Sequence, residues 1–155
     1  STGLYTLLTT PGAADAYRAM DEEGRGIAVD ELVRYCAPVQ MTKPRYARED
    51  TEFHGLHLKQ GDRLVGMLAA ANLDPRVFED PVSLDLTRRP NRHMGWGGGP
   101  HICLGLHLAR AEAQAAFDCL LDGWPGLTLG VDPDRLKWIP RSGLRGLKQL
   151  PVIFG

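Results

Sequence analysis

The residue types best able to do chemistry lie together in one short run, Trp96-Gly97-Gly98-Gly99-Pro100-His101-Ile102-Cys103-Leu104-Gly105. Glycines at this density let the backbone approach a flat ligand or a sulfur atom closely, and they admit positive φ where the chain must fold around that atom. Cys103 stands at the expected start of a long helix, where the positive end of the macrodipole and unpaired N–H groups favour a thiolate. Such a thiolate suits soft or haem-bound iron. Three other chemistries compete. A phosphate-cradling loop requires a Gly-Lys-Ser/Thr ending, whereas these glycines run into Pro100-His101. A zinc site from His101, Cys103 and His107 lacks the paired spacing of such sites. A nucleophilic Cys103 with His101 as its base stays open, although alternate residues of an extended loop tend to point to opposite sides. A structural thiol is the ordinary reading for Cys36 and Cys119, but it leaves the glycines and histidine around Cys103 without a reason.

The elements that must position this loop follow from periodicity. Leu4, Leu7 and Leu8 have the one-sided spacing of a packed helix at the start of the sequence. Thr10 and Pro11 read as N-cap and first-turn proline of a second helix that runs to about Glu22 and is ended by Gly24 and Gly26. A third helix is expected over Ile27–Cys36, with Ile27, Val29, Leu32, Val33 and Cys36 apolar, and Pro38 stops it. Val39 to Met67 reads as short strands and tight turns around Phe53, Leu56 and Leu58. Residues 72–92, with Pro75, Pro81 and Pro90, form an irregular wrap, long for a loop with no function. The alanine-rich stretch Leu104–Leu121 is the strongest helix, with Leu104, Leu108, Ala111, Ala115 and Leu120 as its packing stripe and Gly123 as its end. Strands are expected at Leu127–Leu129, Lys137–Ile139 and Leu150–Phe154.

A chain of 155 residues reads as a single domain, 1–155, able to hide roughly 70% of its unfolded surface in one core. With a formal net charge of -1 it has no basic field for nucleic acid or anionic lipid. No apolar run approaches the roughly 20 residues of a membrane span, and no signal peptide is evident. Three widely spaced cysteines do not make a disulfide framework, so a cytoplasmic setting is expected.

The glycine loop resembles the haem-binding signature of the cytochrome P-450 family, Phe-Gly-x-Gly-x-His-x-Cys-x-Gly. Gly97, Gly99, His101, Cys103 and Gly105 stand at its fixed positions, and Trp96 replaces the initial Phe. Glu31-Leu32-Val33-Arg34 resembles the family's Glu-x-x-Arg element, and Leu84-Asp85-Leu86-Thr87-Arg88 is similar to its meander, which makes Arg88 the third member of that charge network. Three residues apart on a helix, Glu31 and Arg34 share a face, which by itself fits a solvated surface pair equally well. The similarity to the C-terminal part of a bacterial member runs from Ala28 to Phe154 and includes Ala71-Asn72-Leu73-Asp74-Pro75.

The resemblance implies a mainly α fold with small β-sheets (α+β), the proximal half of the P-450 architecture, holding haem b with Cys103 as the axial iron ligand. Arg45 and His101 are implied as partners of the two haem propionates, and His93 is a weaker third candidate. Trp96 has two readings: packing against the proximal sulfur, or donating its N–H to the thiolate and so raising the redox potential. Ser1 is implied to fall inside the long distal helix, beyond the acid and alcohol that deliver protons, so the catalytic distal residues lie outside the sequence. The activity implied is monooxygenation of a small organic substrate with electrons from a ferredoxin-type donor. For this chain alone a peroxide-dependent, peroxidase- or peroxygenase-like oxidation is expected, and a non-catalytic haem- or partner-binding module is the alternative. The face formed by Leu4, Leu7 and Leu8, with one face of the porphyrin, is expected to be uncovered and to make a homodimer, for which exchange of the first helix is one route.

Overall fold

The computed structural model describes residues 1–155. Three helices open the chain: α1 (Thr2–Thr9), α2 (Ala13–Arg18) and α3 (Glu22–Cys36). Thr10 closes α1 instead of opening α2, its amide donating to the Thr6 carbonyl at 3.0 Å, and Gly12, at φ 73°, turns the chain into α2. The second helix ends at Arg18, short of the expected Glu22, and the third starts at Glu22 rather than Ile27, because Asp21 accepts from the Gly24 amide at 2.8 Å and caps α3 there. Glu22 and Glu23 then sit in a first turn whose dipole favours acid. Gly24 and Gly26 therefore lie inside α3 rather than ending its predecessor.

Four short strands follow: β1 (Arg45–Tyr46), β2 (Thr51–Phe53), β3 (Leu56–Leu58) and β4 (Arg63–Leu64). β2 and β3 make a two-residue hairpin, with Phe53 opposite Leu56 and both His54 and Gly55 at positive φ, the backbone a primed turn needs. β1 pairs antiparallel with β4, Arg45 opposite Leu64. After the short helix α4 (Leu68–Ala71) the chain runs irregularly to the glycine loop, and α5 (Leu106–Gly123) then carries it across α3 and α2. β5 (Thr128–Leu129) and β6 (Val152–Ile153) form the last antiparallel pair, and between them Lys137–Ile139 makes only a single bridge, Trp138 to Leu147, in place of the expected strand. The architecture is thus mainly α with three small sheets.

The core joins α1, α2, α3 and α5 through Leu4, Leu7, Tyr17, Ala28, Leu32, Cys36 and Leu121, with Leu86 and Leu127 from the connecting segments. Leu4 and Leu7 are buried and Leu8 packs on the same cluster, so the first helix does not present the uncovered face expected of it. An uncovered apolar surface lies instead on α5 and the turn that leads into it. That helix turns Leu106, Ala109, Ala113, Phe117, Leu120 and Leu121 inward, while Leu104, Leu108, Ala111 and Ala115 of the expected packing stripe are exposed, together with Cys119. A helix apolar on both sides is built to be covered on both. No helix is long and apolar enough to cross a membrane.

Candidate functional site

The glycine loop is a closed structure of its own. The Gly97 amide donates to the Met94 carbonyl, the Ile102 amide to Gly99, and the Cys103 amide to Trp96 at 2.9 Å. Gly97 and Gly99 sit at φ 74° and 65°, which residues with a Cβ rarely adopt. The Cys103 carbonyl accepts from Leu106, the first residue of α5, so the cysteine lies in the turn leading into the helix; Leu104 and Gly105 also precede it. Cys103 is exposed among apolar neighbours, Ile102 at 54%, Leu104 at 101% and Leu108 at 65%. Cys36 differs in kind: burial pushes its thiol pKa up, against hydrogen bonds from Thr6 and Thr2.

Two anchors hold the loop to the fold. A Cβ on Gly95 would lie 2.5 Å from Val33 Cγ1, so only glycine lets the loop rest on α3 there. Asn72, fully buried after α4, accepts the Met94 amide at 2.7 Å through Oδ1 and donates to the Arg34 carbonyl through Nδ2. His93 also serves the loop. Its Nδ1 accepts the Gly95 amide at 3.1 Å, its Nε2 lies 3.9 Å from Asp30 Oδ1, and its side chain is 5% exposed. Such a buried, committed ring is a poor candidate for the third propionate contact. Arg45, on β1, and His101, in the 3-10 turn of the loop, are exposed, and neither side chain is hydrogen-bonded within the chain.

Glu31, Arg34 and Arg88 are brought together. Both carboxylate oxygens of Glu31 receive the Arg34 fork, at 2.7 and 2.8 Å, and Arg88 Nε reaches the same group at 3.2 Å. Asp85 N and Asn91 Nδ2 complete its shell at 3.0 and 3.1 Å. Glu31 and Arg34 are 0% exposed, which excludes the solvated surface pair. Two guanidiniums on one carboxylate leave excess positive charge, and backbone carbonyls absorb it: Arg34 donates to the Asn72, Pro81 and Ser83 carbonyls, and Arg88 to those of Glu79, Asp80 and Ser83. The meander is thereby wound around two cations. Burial alone would raise the Asp85 carboxyl, yet hydrogen bonds from Thr87 and the nearby Arg88 and Arg34 charges hold it below the usual range.

Sequence assigns no role to Asn91 and none to Asn72, which enters only within the Ala71–Pro75 stretch of the resemblance. By residue type alone Asn72 is an amide after the apolar run Met67–Ala71, which a helix-ending turn explains equally well.

A search of family models matches residues 27–124, from α3 to just past α5, to the cytochrome P-450 model. The chain belongs to the cytochrome P-450 family. The polyketide-biosynthesis P-450 PksS of Bacillus subtilis (strain 168) is 46% identical over 125 residues, covering 81% of this chain and 31% of that protein. The P-450 monooxygenase PikC of Streptomyces venezuelae is 39% identical over 150 residues, covering 97% of this chain and 36% of its own length. The solved PksS structure superposes with a TM-score of 0.93 at 40% identity, across 99% of this chain and 39% of that one. The chain thus spans about a third of the length of these P-450 relatives.

The residues present fit the family's haem. An exposed thiol among apolar side chains offers a soft axial ligand beside a surface suited to a flat apolar ring. Arg45 and His101 offer donors without protein partners, as charged carboxylates require. The buried indole nitrogen of Trp96, within the same loop, has no hydrogen-bond acceptor.

Proposed function

We propose that this chain is the proximal part of a haem-thiolate monooxygenase, and that it holds haem b through Cys103. The observation that supports this most directly is the exposed cysteine presented by a self-closed glycine loop at the entrance to α5. Cys103 supplies the thiolate. His101 and Arg45 donate to the propionates and orient the ring. Gly97 and Gly99 would let the loop backbone approach the ring closely, and Ile102, Leu104 and Leu108 would exclude water from it. The Glu31–Arg34–Arg88 network fixes the meander, and through Asn72 it sets the height of the loop. When bound, the haem supplies the oxygen-activating redox chemistry, which a thiolate ligand favours by donating electron density toward the iron.

Substrate selection and proton delivery belong to the parts of a P-450 that this chain does not span. In the complete enzyme a small organic substrate, dioxygen and a ferredoxin-type electron donor are the partners. For the chain by itself, peroxide-driven oxidation is the activity we assign, because peroxide brings its own electrons and protons and needs no delivery residues. The exposed alanines of α5, Ala111 and Ala115, lie where the remaining helices of a P-450 would pack.

The test is the spectrum of the reduced carbon monoxide complex after reconstitution with haem. The expected result is one haem per chain, with the strongly red-shifted carbonyl band of thiolate ligation, lost in Cys103→Ala and kept in Cys36→Ala and Cys119→Ala. The same band surviving in Cys103→Ala would overturn the assignment. A normal thiolate spectrum with no turnover on peroxide and electron-rich aromatics would instead favour a haem-binding module without catalysis.

A further inference from the structure

The chain departs from the haem-binding signature at Trp96, and the structure gives that departure an unused polar atom. Trp96 Nε1 is buried without an acceptor, one of only three such side-chain atoms in the molecule. A buried donor left unpaired costs about 1–3 kcal/mol, so one retained in a native structure calls for a reason, a redox or catalytic role among them. Backbone acceptors of the loop are already engaged: the carbonyls of Met94, Trp96, Gly99 and Cys103 each receive an amide of the loop or of α5. The Trp96 carbonyl takes the amide of Cys103 itself, which sets the two residues side by side across the closed loop. Cys103 sulfur belongs to the same closed loop, and its accepting power changes with function. A thiol accepts weakly; a metal-bound thiolate carries negative charge and accepts strongly.

We propose that the Trp96 indole N–H donates to the Cys103 thiolate once iron is bound, making Trp96 a positioning residue that sets the strength of the iron–sulfur bond. This rests on the haem-thiolate reading of the site. Donation to the sulfur withdraws electron density from the bond, lengthens it, and stabilises the reduced iron, so the reduction potential is higher than a phenyl ring at the same place would give.

The test uses haem-reconstituted parent protein, Trp96→Phe, which keeps an aromatic ring without a donor, and Trp96→His, which keeps a donor in a smaller ring. Three signals are read: the carbonyl band, the midpoint potential, and the iron–sulfur stretching frequency in H2O and in protein refolded in D2O. Expected are a lower potential and a higher stretching frequency in Trp96→Phe, recovery of both toward the parent values in Trp96→His, and a deuterium shift of the stretch in the parent that Trp96→Phe lacks. The parent's isotope shift needs no variant, so poor folding of either one leaves the comparison intact. An unshifted stretch in the parent overturns the proposal while leaving the haem-thiolate reading in place. Absence of the red-shifted carbonyl band in the parent overturns both.

Discussion

Two glutamates of α3, Glu31 and Glu23, pair with arginines of the meander region, and their replacement should have very different consequences. Glu31 is 0% exposed and accepts from Arg34, Arg88, Asp85 and Asn91. Glu31→Ala leaves two guanidiniums facing one another without the carboxylate that both of them bind, in a site almost closed to water. Removing one partner of a buried pair costs roughly 3–5 kcal/mol, against a total stability of about 5–15 kcal/mol for a domain. At this size 1 kcal/mol moves the midpoint by about 2–4 °C, so a drop of roughly 6–20 °C is expected. Glu23 pairs with Arg89 at 2.7 Å, with side chains 76% and 58% exposed. Glu23→Ala should cost about 0–1 kcal/mol, a shift of a few degrees at most. Thermal unfolding of the haem-free chain followed by circular dichroism compares the two directly. Equal midpoints for the two variants would refute the idea that burial, rather than pairing as such, makes the network structural.

Thiol titration with a chromogenic disulfide should find Cys103 and Cys119 reactive in the folded haem-free chain and Cys36 only after denaturation; on haem loading Cys103 should drop out, leaving one fast thiol. Alkaline stability should depend on Cys36 and Tyr17. Burial raises both groups in the folded state, with the Asp118 hydrogen bond and charge adding to the rise at Tyr17. A raised folded pKa means the contribution is complete below the unfolded value and lost as pH rises through the folded one, so stability should fall above about pH 9. Cys36→Ala and Tyr17→Phe should each flatten that limb in denaturant titrations repeated across pH.

Contiguous features were legible in the sequence. The glycine loop spans ten residues, and the backbone demands at Gly97 and Gly99 are local, so its outline could be read directly. The helical character of α3 and α5 was equally plain. The boundary between α2 and α3 was not, since Asp21 and the two glycines that follow it can be read as the end of one helix or the start of the next, and only the side-chain cap decides. Periodicity also identified apolar faces on α1 and α5 without saying what covers them. Leu4 and Leu7 are covered within the chain, whereas Leu104 and Leu108 are not. The role of Asn72 rests on partners 22 and 38 positions away, which no local pattern encodes. For Glu31 and Arg34 the spacing was visible, but burial, which decides their energetics, depends on the meander folding back over α3.

The two hydrogen bonds made by the Asn72 side chain join the Arg34 carbonyl on α3 to the Met94 amide at the root of the cysteine loop. A fluctuation that opens the C-terminal half of α3 must therefore release the loop as well, and the two behave as one opening unit. Exchange of the Met94 amide with solvent should track the amides of α3 rather than those of the exposed β2–β3 hairpin. The same coupling applies to inheritance: under the proposed ligation by Cys103, a substitution on α3 far from the sulfur would alter how the iron is held, so drift in that helix would be filtered by its effect on the loop as well as on the fold.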